Sequence, residues 1–301
     1  MSNSATINIM ENPFVAKSRI AKINRLKNFV FKVIGITATM FGLIVLVYFL
    51  FDIFKDGFAR IDLDFLTSLP SRKAEKAGIL PAWTGSAWIL GLTTMIALPL
   101  GVAAGIYFEE YAKKNRFNNL LEVNIANLAG VPSIIYGILG LEVFVRIMGL
   151  GESLLAGAFT LALLILPIII VATREAVKAV PNTLREASYG LGATKWQTIK
   201  WQVLPASSGG ILTGTILALS RAVGETAPLI VIGALAYVPF VPSTPMDLFT
   251  VLPMQIFNWT SRPQAAFLVN AAAAIIVLLI ITFMMNGIAI YFRNRWQKKL
   301  R

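Results

Sequence analysis

Six stretches of this chain are long and apolar enough to cross a lipid bilayer, and that constrains everything else it can do. A hydrocarbon core ~30 Å thick takes about 20 helical residues. Residues 29–51, 84–107, 123–149, 153–173, 208–236 and 267–290 meet the requirement. The second, fourth and sixth hold no charged residue, and the first holds only Lys32, whose stem can reach back to the interface. The third carries Glu142 and Arg146, and the fifth carries Arg221 and Glu225. In lipid every backbone donor and acceptor needs an internal partner, so these runs predict an all-α membrane protein with six transmembrane helices. Composition agrees: 56% of the residues are hydrophobic and 14% charged, against about 25% charged in a soluble domain.

The basic residues sort by side. Nineteen Lys and Arg lie in residues 1–32, 108–122, 174–207 and 291–301, and six in 52–83 and 237–266. The asymmetry predicts a multi-pass protein of the plasma (inner) membrane with both termini cytoplasmic. The expected organisation is a cytoplasmic tail (1–28), a first transmembrane helix (29–51), an external loop (52–83), a five-helix core (84–290) containing the loop 174–207, and a basic cytoplasmic tail (291–301). Residues 14–28 place Ile20, Ile23 and Leu26 between basic residues, which suits a helix lying among lipid headgroups. No A-x-A-like site follows the first apolar run, so that span is expected to be a retained anchor. Residues 237–265 hold five prolines and predict an irregular, packed cap. The net charge of +12 is then topology and attraction to anionic lipid, with no nucleic-acid partner implied.

Several chemistries are excluded by counting. The chain has no Cys and no His, which leaves no thiolate nucleophile, no Ser–His device and no ordinary metal site. Asp52, Asp56, Asp62, Asp64 and Asp247 all lie at span ends or outside spans, so an intramembrane aspartate pair is ruled out. A G-x4-G-K-[ST] pattern is missing, so ATP and Mg would have to be bound by another chain. No metal or other cofactor is expected in this one.

The loop 174–207 reads as two short helices. Thr183 with Glu186, and Thr194 with Gln197, have capping-box spacing. Gly190 and Gly192 suit the turn between the helices, and Pro205 suits the end of the second. Leu184, Ala187 and Leu191 share one helical face, as do Trp196, Ile199 and Val203. Composition leaves two readings open: a docking surface for a partner, or a connector resting on the membrane.

Arg221 and Glu225 are four apart within the fifth span, a spacing that brings them together on a helix. Charge at that depth is expensive and is kept where it pairs, faces protein or lines water. The pair is either a structural pin between helices or a polar gate for an anion. Glu142 and Arg146 repeat the spacing near the outer end of the third span, where a structural ion pair is expected. Pro99, Pro132, Pro167 and Pro228 lie inside spans and should kink or break them.

Glu186-Ala187-Ser188-x3-Gly192, followed by Leu204-Pro205, resembles the EAA loop of ABC-transporter permeases, with Ser188 for the third small residue and Gln202 for an Ile. Residues 130–137 (GVPSIIYG), 221–229 (RAVGETAPL) and 78–82 with Gly85 resemble permeases of phosphate-specific ABC importers, of the PstA type. The resemblance implies the type I ABC importer permease (MetI-like) fold. It implies a coupling helix carrying Glu186, Ala187 and Ser188, with Gly192 at its turn. It implies passage of phosphate past Arg221 and Glu225. The implied partners are a PstC-type sister permease, a PstB-type ATPase dimer and a PstS-type phosphate-binding protein. A PstC-type subunit, or a permease for molybdate, sulfate or phosphonate, remains the alternative.

Overall fold

The computed structural model describes residues 13–113, 115–234 and 237–299, with backbone alone at 13–23, 26 and 296–299. The start of the expected tail (1–12) lies outside the described residues, and so do the side chains of Ile20, Ile23 and Leu26. The chain divides into two compact units, residues 1–52 and 53–301. The first unit is described as a single element, the part of helix α1 (Pro13–Gly57) up to Asp52. Residues 14–28 are thus helical in backbone, continuous with the apolar run after them.

The second unit is helical, with one isolated bridge between Ser153 and Leu248 among the described residues. Its helices are α2 (Leu63–Thr67), α3 (Leu80–Ile106), α4 (Arg116–Leu128), α5 (Ser133–Gly140), α6 (Leu154–Lys178), α7 (Asn182–Gly190), α8 (Lys195–Thr198), α9 (Leu204–Val223), α10 (Ala227–Ile232), α11 (Leu252–Thr260) and α12 (Ala266–Lys299). Wider π-turns at Tyr107–Tyr111, Leu141–Ile147 and Ile199–Val203 extend α3 and α5 and join α8 to α9. Five helical runs among the described residues are long and apolar enough to cross a membrane, and the bent pair Arg116–Leu128 with Ser133–Ile147 makes a sixth if it counts as one span.

Two expected spans depart from a straight helix. The third is broken: its halves meet at 105°. Pro132 caps α5 and cannot donate to the turn before it, so the ladder stops at Ala129. The fifth starts earlier and ends sooner than expected, running unbroken from Lys195 to Val223. Pro228 then sits in the first turn of α10, where its missing N–H costs nothing. Gly233, at φ +102°, ends α10. Pro99 and Pro167 stay inside intact helices.

Helix α6 lies at the centre, with Leu161, Leu164, Ile165 and Ile169 fully buried. Membrane helices gain little from apolar burial against each other and pack through small residues instead. Gly101 of α3 faces Ile169, where a Cβ would lie 2.6 Å from Cγ2, and Gly105 faces Thr173. On the other side Gly210 and Gly214 of α9 meet Ala176 and Ala172. A second cluster sets Phe65, Trp259 and Phe267 together, with α11 and α12 closing over α2. The segment 237–251 is anchored by Phe249, Thr250 and Val251, all buried. Its carbonyls at Pro245 and Asp247 accept the Leu155 and Leu154 N–H groups at the start of α6.

Asp247 organises that segment. Its carboxylate accepts from the Thr244 hydroxyl at 2.6 Å and from the backbone N–H groups of Thr244 and Ser243 at 2.9 and 2.7 Å. These bonds, the Thr244 hydroxyl foremost, hold its pKa well below the usual carboxylate range. The folded pKa is lowered, so the stabilisation is present above the unfolded value of about 4 and is lost as pH falls below it. Limited proteolysis of 237–251 should therefore be faster in Asp247→Asn than in wild type at pH 7, and the gap should close as the pH drops below about 4.

Tight packing makes a second prediction. Gly101→Leu should destabilise the detergent-purified chain by about 1–3 kcal/mol, the cost of an overpacked core, and so lower its thermal midpoint. Gly91→Leu on the same helix, where a Cβ meets nothing within 4 Å, should leave it unchanged.

Candidate functional site

The two broken helices meet. Gly137 of α5 lies against the backbone of Pro228 in α10, so close that a Cβ would sit 2.7 Å from its Cα. Each break exposes backbone groups that the helix no longer satisfies. At the end of α4, Asn127 O accepts from Gly130 N–H, and Leu128 O accepts from Val131 N–H and from the Tyr136 hydroxyl at 2.7 Å. Ala129 O accepts from Arg221 Nη1 at 3.4 Å, and Arg221 Nε donates to Glu225 Oε1 at 3.3 Å.

Arg221 and Glu225 are thus brought together at a helix end. Arg221 lies in the last turn of α9, and Glu225 lies one residue beyond the cap at Gly224. The guanidinium faces the carbonyl end of α4, where the helix dipole favours a cation. Its side chain is 37% exposed and that of Glu225 16%. Among the described residues two of the five guanidinium N–H groups are engaged, and part of the fork is exposed. Glu225 also borders a small cavity of about 10 Å³ with Ser86, Ala222 and Val251. Ser86 is held there by accepting from Leu252 N–H at 2.9 Å.

The loop 174–207 forms two helices, with two differences from the local reading. Asn182 opens α7 behind Pro181, so Thr183 falls within the first turn and makes no cap. The box at Thr194 and Gln197 forms in full. Pro205 does not end the second helix. The π-turn Ile199–Val203 precedes it, so the missing Pro205 N–H falls where the regular ladder is already interrupted, and Lys195–Val223 continues as one helical run. Gly192, at φ +82°, makes the reversal between α7 and α8. Ser188 Oγ meets Thr198 Oγ1 at 2.9 Å across that reversal.

The two apolar faces also part ways. Leu184, Ala187 and Leu191 are exposed beside Glu186, Leu191 at 90%. Ile199 and Val203 instead turn inward onto Ile106, Val177 and Val180, while Trp196 stays exposed. Leu204 packs partly against that cluster, with half-buried Pro205 next to it.

Residues that local sequence reading passes over hold the loop in place. Arg185, its side chain 14% exposed, donates to Glu110 Oε1 from Nε and Nη2 at 3.0 and 2.9 Å. It also donates to the carbonyls of Val180 at 2.6 Å and Val177 at 2.9 Å. Lys195 bonds the Glu110 carbonyl and sits 4.7 Å from the Tyr111 ring centre. Arg174 pairs with Glu109 at 3.1 Å and with Glu122 of α4. The partners of Arg185 and Arg174 lie 75 and 65 residues away, beyond any local pattern. Glu142 and Arg146 form a 2.9 Å pair on the π-turn Leu141–Ile147, more than half exposed on both sides and apart from the Arg221 site. No group of three His, Cys, Asp or Glu side chains that could hold a metal occurs among the described residues.

Residues 97–297 match the family model described as binding-protein-dependent transport system inner membrane component. The chain is 31% identical over 263 residues to the probable ABC transporter permease protein YqgI of Bacillus subtilis (strain 168), covering 83% of this chain and 89% of that protein. It is 32% identical over 305 residues to the phosphate transport system permease protein PstA 1 of Mycobacterium tuberculosis (strain CDC 1551 / Oshkosh), covering 97% and 98%. Among solved structures, an inward-facing form of the MetNI methionine ABC transporter superposes with a TM-score of 0.58 at 19% identity, over 72% of this chain and 95% of that one. The fold is that of type I ABC importer permeases, of the MetI-like kind. The chain belongs to the family of binding-protein-dependent transport system inner membrane components, with PstA-type permeases among its relatives.

Proposed function

We propose that this chain is the permease subunit of an ATP-driven importer of inorganic phosphate. With a PstC-type sister permease it forms the pathway; a PstB-type ATPase dimer binds ATP and Mg and performs the hydrolysis; a PstS-type protein delivers phosphate from outside. The observation that carries the reading is Arg221, a partly exposed guanidinium held where two broken spans meet. Its planar fork suits a tetrahedral oxyanion, and burial in a low-dielectric surround strengthens that contact. The name of the M. tuberculosis relative supplies the choice of oxyanion.

The Lys and Arg asymmetry supports cytoplasmic placement of both termini (1–28 and 291–301) and of the loop 174–207. Helix α7 is then the coupling helix. Its exposed Leu184, Ala187 and Leu191 offer an apolar face to the ATPase, with Glu186 beside it and Gly192 setting the turn. Arg185 keeps that helix registered on the end of α3. Phosphate competes with Glu225 for Arg221, so the pair opens as the pathway turns over. Glu142 and Arg146 serve as a structural pair away from that route.

ATP-driven uptake of labelled phosphate by the reconstituted complex tests the reading. Arg221→Gln should lower uptake by about 100-fold while the complex still assembles, the loss expected when a charged contact to the moving anion disappears. Uptake at the wild-type rate would remove Arg221 from the pathway. Glu186→Lys should abolish co-purification of the ATPase and leave the two permeases paired. Glu142→Gln should change neither readout.

A further inference from the structure

One surface remains that neither Arg221 nor the coupling loop accounts for. Helix α4 carries polar residues over more than one face. Glu122 points to α6 and pairs with Arg174. The arc that starts beside it carries Asn119, Asn127 and Asn124, all exposed, among exposed Leu120, Val123 and Ala126. At about 100° per residue the three amides fall within an arc of about 140°, and from Asn119 to Asn127 they climb about 12 Å. Asn124 bonds back to its own helix at Leu120 O. Among the described residues nothing bonds the side-chain amides of Asn119 or Asn127. This helix is half of a bent pair that makes one span if the two count together. An amide turned toward hydrocarbon loses its hydrogen bonds to water and regains none.

The ladder also leads somewhere. Asn127 is two residues before Ala129, whose carbonyl holds Arg221. Midway along α4, Glu122 shares the partner Arg174 with Glu109. The Lys and Arg asymmetry puts the start of α4 on the same side of the membrane as the loop 174–207. Irregular backbone at membrane depth is tolerated where protein buries it or water reaches it, and the turn Ala129–Pro132 carries exposed Gly130 between the ladder and Arg221.

We propose that the Asn119–Asn124–Asn127 face of α4 lines the inner half of the transport route, a wet passage in which side-chain amides donate to the oxyanion after it leaves Arg221. The assignment rests on the reading of the chain as a phosphate permease. Neutral amides suit an exit: each offers N–H donors without a fixed charge, so the anion is solvated stepwise and not trapped. A second arginine there would hold it.

The chain has no cysteine, so single substitutions report cleanly. The reconstituted complex would carry Asn119→Cys, Asn124→Cys or Asn127→Cys, with Phe283→Cys on the exposed face of α12 as the lipid-facing reference. Each is treated with a membrane-impermeant anionic methanethiosulfonate, and this chain's mass is read over time. The expected result is modification at 124 and 127 at least about tenfold faster than at 283, because thiolate chemistry needs water. Saturating phosphate should slow the reaction at 127. Rates no faster than at 283 would overturn the proposal and point to a face buried in lipid or against the sister permease. Fast labelling without phosphate protection, in a complex that still imports phosphate, would overturn the oxyanion route. Should the wild-type complex import no phosphate, the functional reading falls, while the labelling pattern still reports whether water reaches α4. Asn127→Leu should lower uptake about tenfold, with Asn127→Ser retaining most of it.

Discussion

A carbonyl at the end of a broken membrane helix must find a donor, and here Ala129 O finds the guanidinium of Arg221. That single demand ties the architecture together. The bend between α4 and α5 cannot exist in lipid unless its freed acceptors are answered. Gly130, Val131 and the Tyr136 hydroxyl answer the first two, and Arg221 answers the third. Arg221 can reach only because α9 ends there, and α10 can follow only because Pro228 opens a new helix against Gly137. Each break is the partner of the other. A charge that would be prohibitive on an isolated helix is compensated by a carboxylate on one side and a helix terminus on the other.

The same logic explains how much could be read from the sequence. Apolar runs of bilayer length mark the spans directly, because no other structure satisfies so long a dry backbone. The cap at Thr194 and Gln197 is legible because all its partners lie within four residues. The breaks are not, since apolar composition continues straight through residues 123–149 and 208–236 and hides where the helix stops. Prolines signal trouble without saying what form it takes. Pro132 and Pro228 open new helices, Pro99 and Pro167 are absorbed, and Pro205 lies in a continuous helix behind a wider turn. Thr183 misleads because Pro181 moves the helix start forward by two residues.

The site was partly legible. Arg221 and Glu225 stand out because charge in a span is rare, and their spacing brings them together as expected. That they meet beyond the end of a helix, and that a backbone oxygen shares the guanidinium, depends on a segment 92 residues away. The Arg185–Glu110 clamp has no local signature at all. Several of the strings behind the family resemblance coincide with tight backbone approaches: Gly78 against Ser68, Gly85 against Thr250, Gly137 against Pro228. Those positions are intolerant for steric reasons, whatever solute is carried.

The unbroken run from Lys195 to Val223 has a mechanical consequence. Its 29 residues make a rod about 43 Å long. Pivoting such a rod by about 5° displaces its far tip by about 4 Å, longer than a hydrogen bond. The tip carries Arg221. A rocking motion small enough to leave most helix contacts intact is therefore enough to make or undo its bond to Ala129 O. Stiffness sets the gain of this lever.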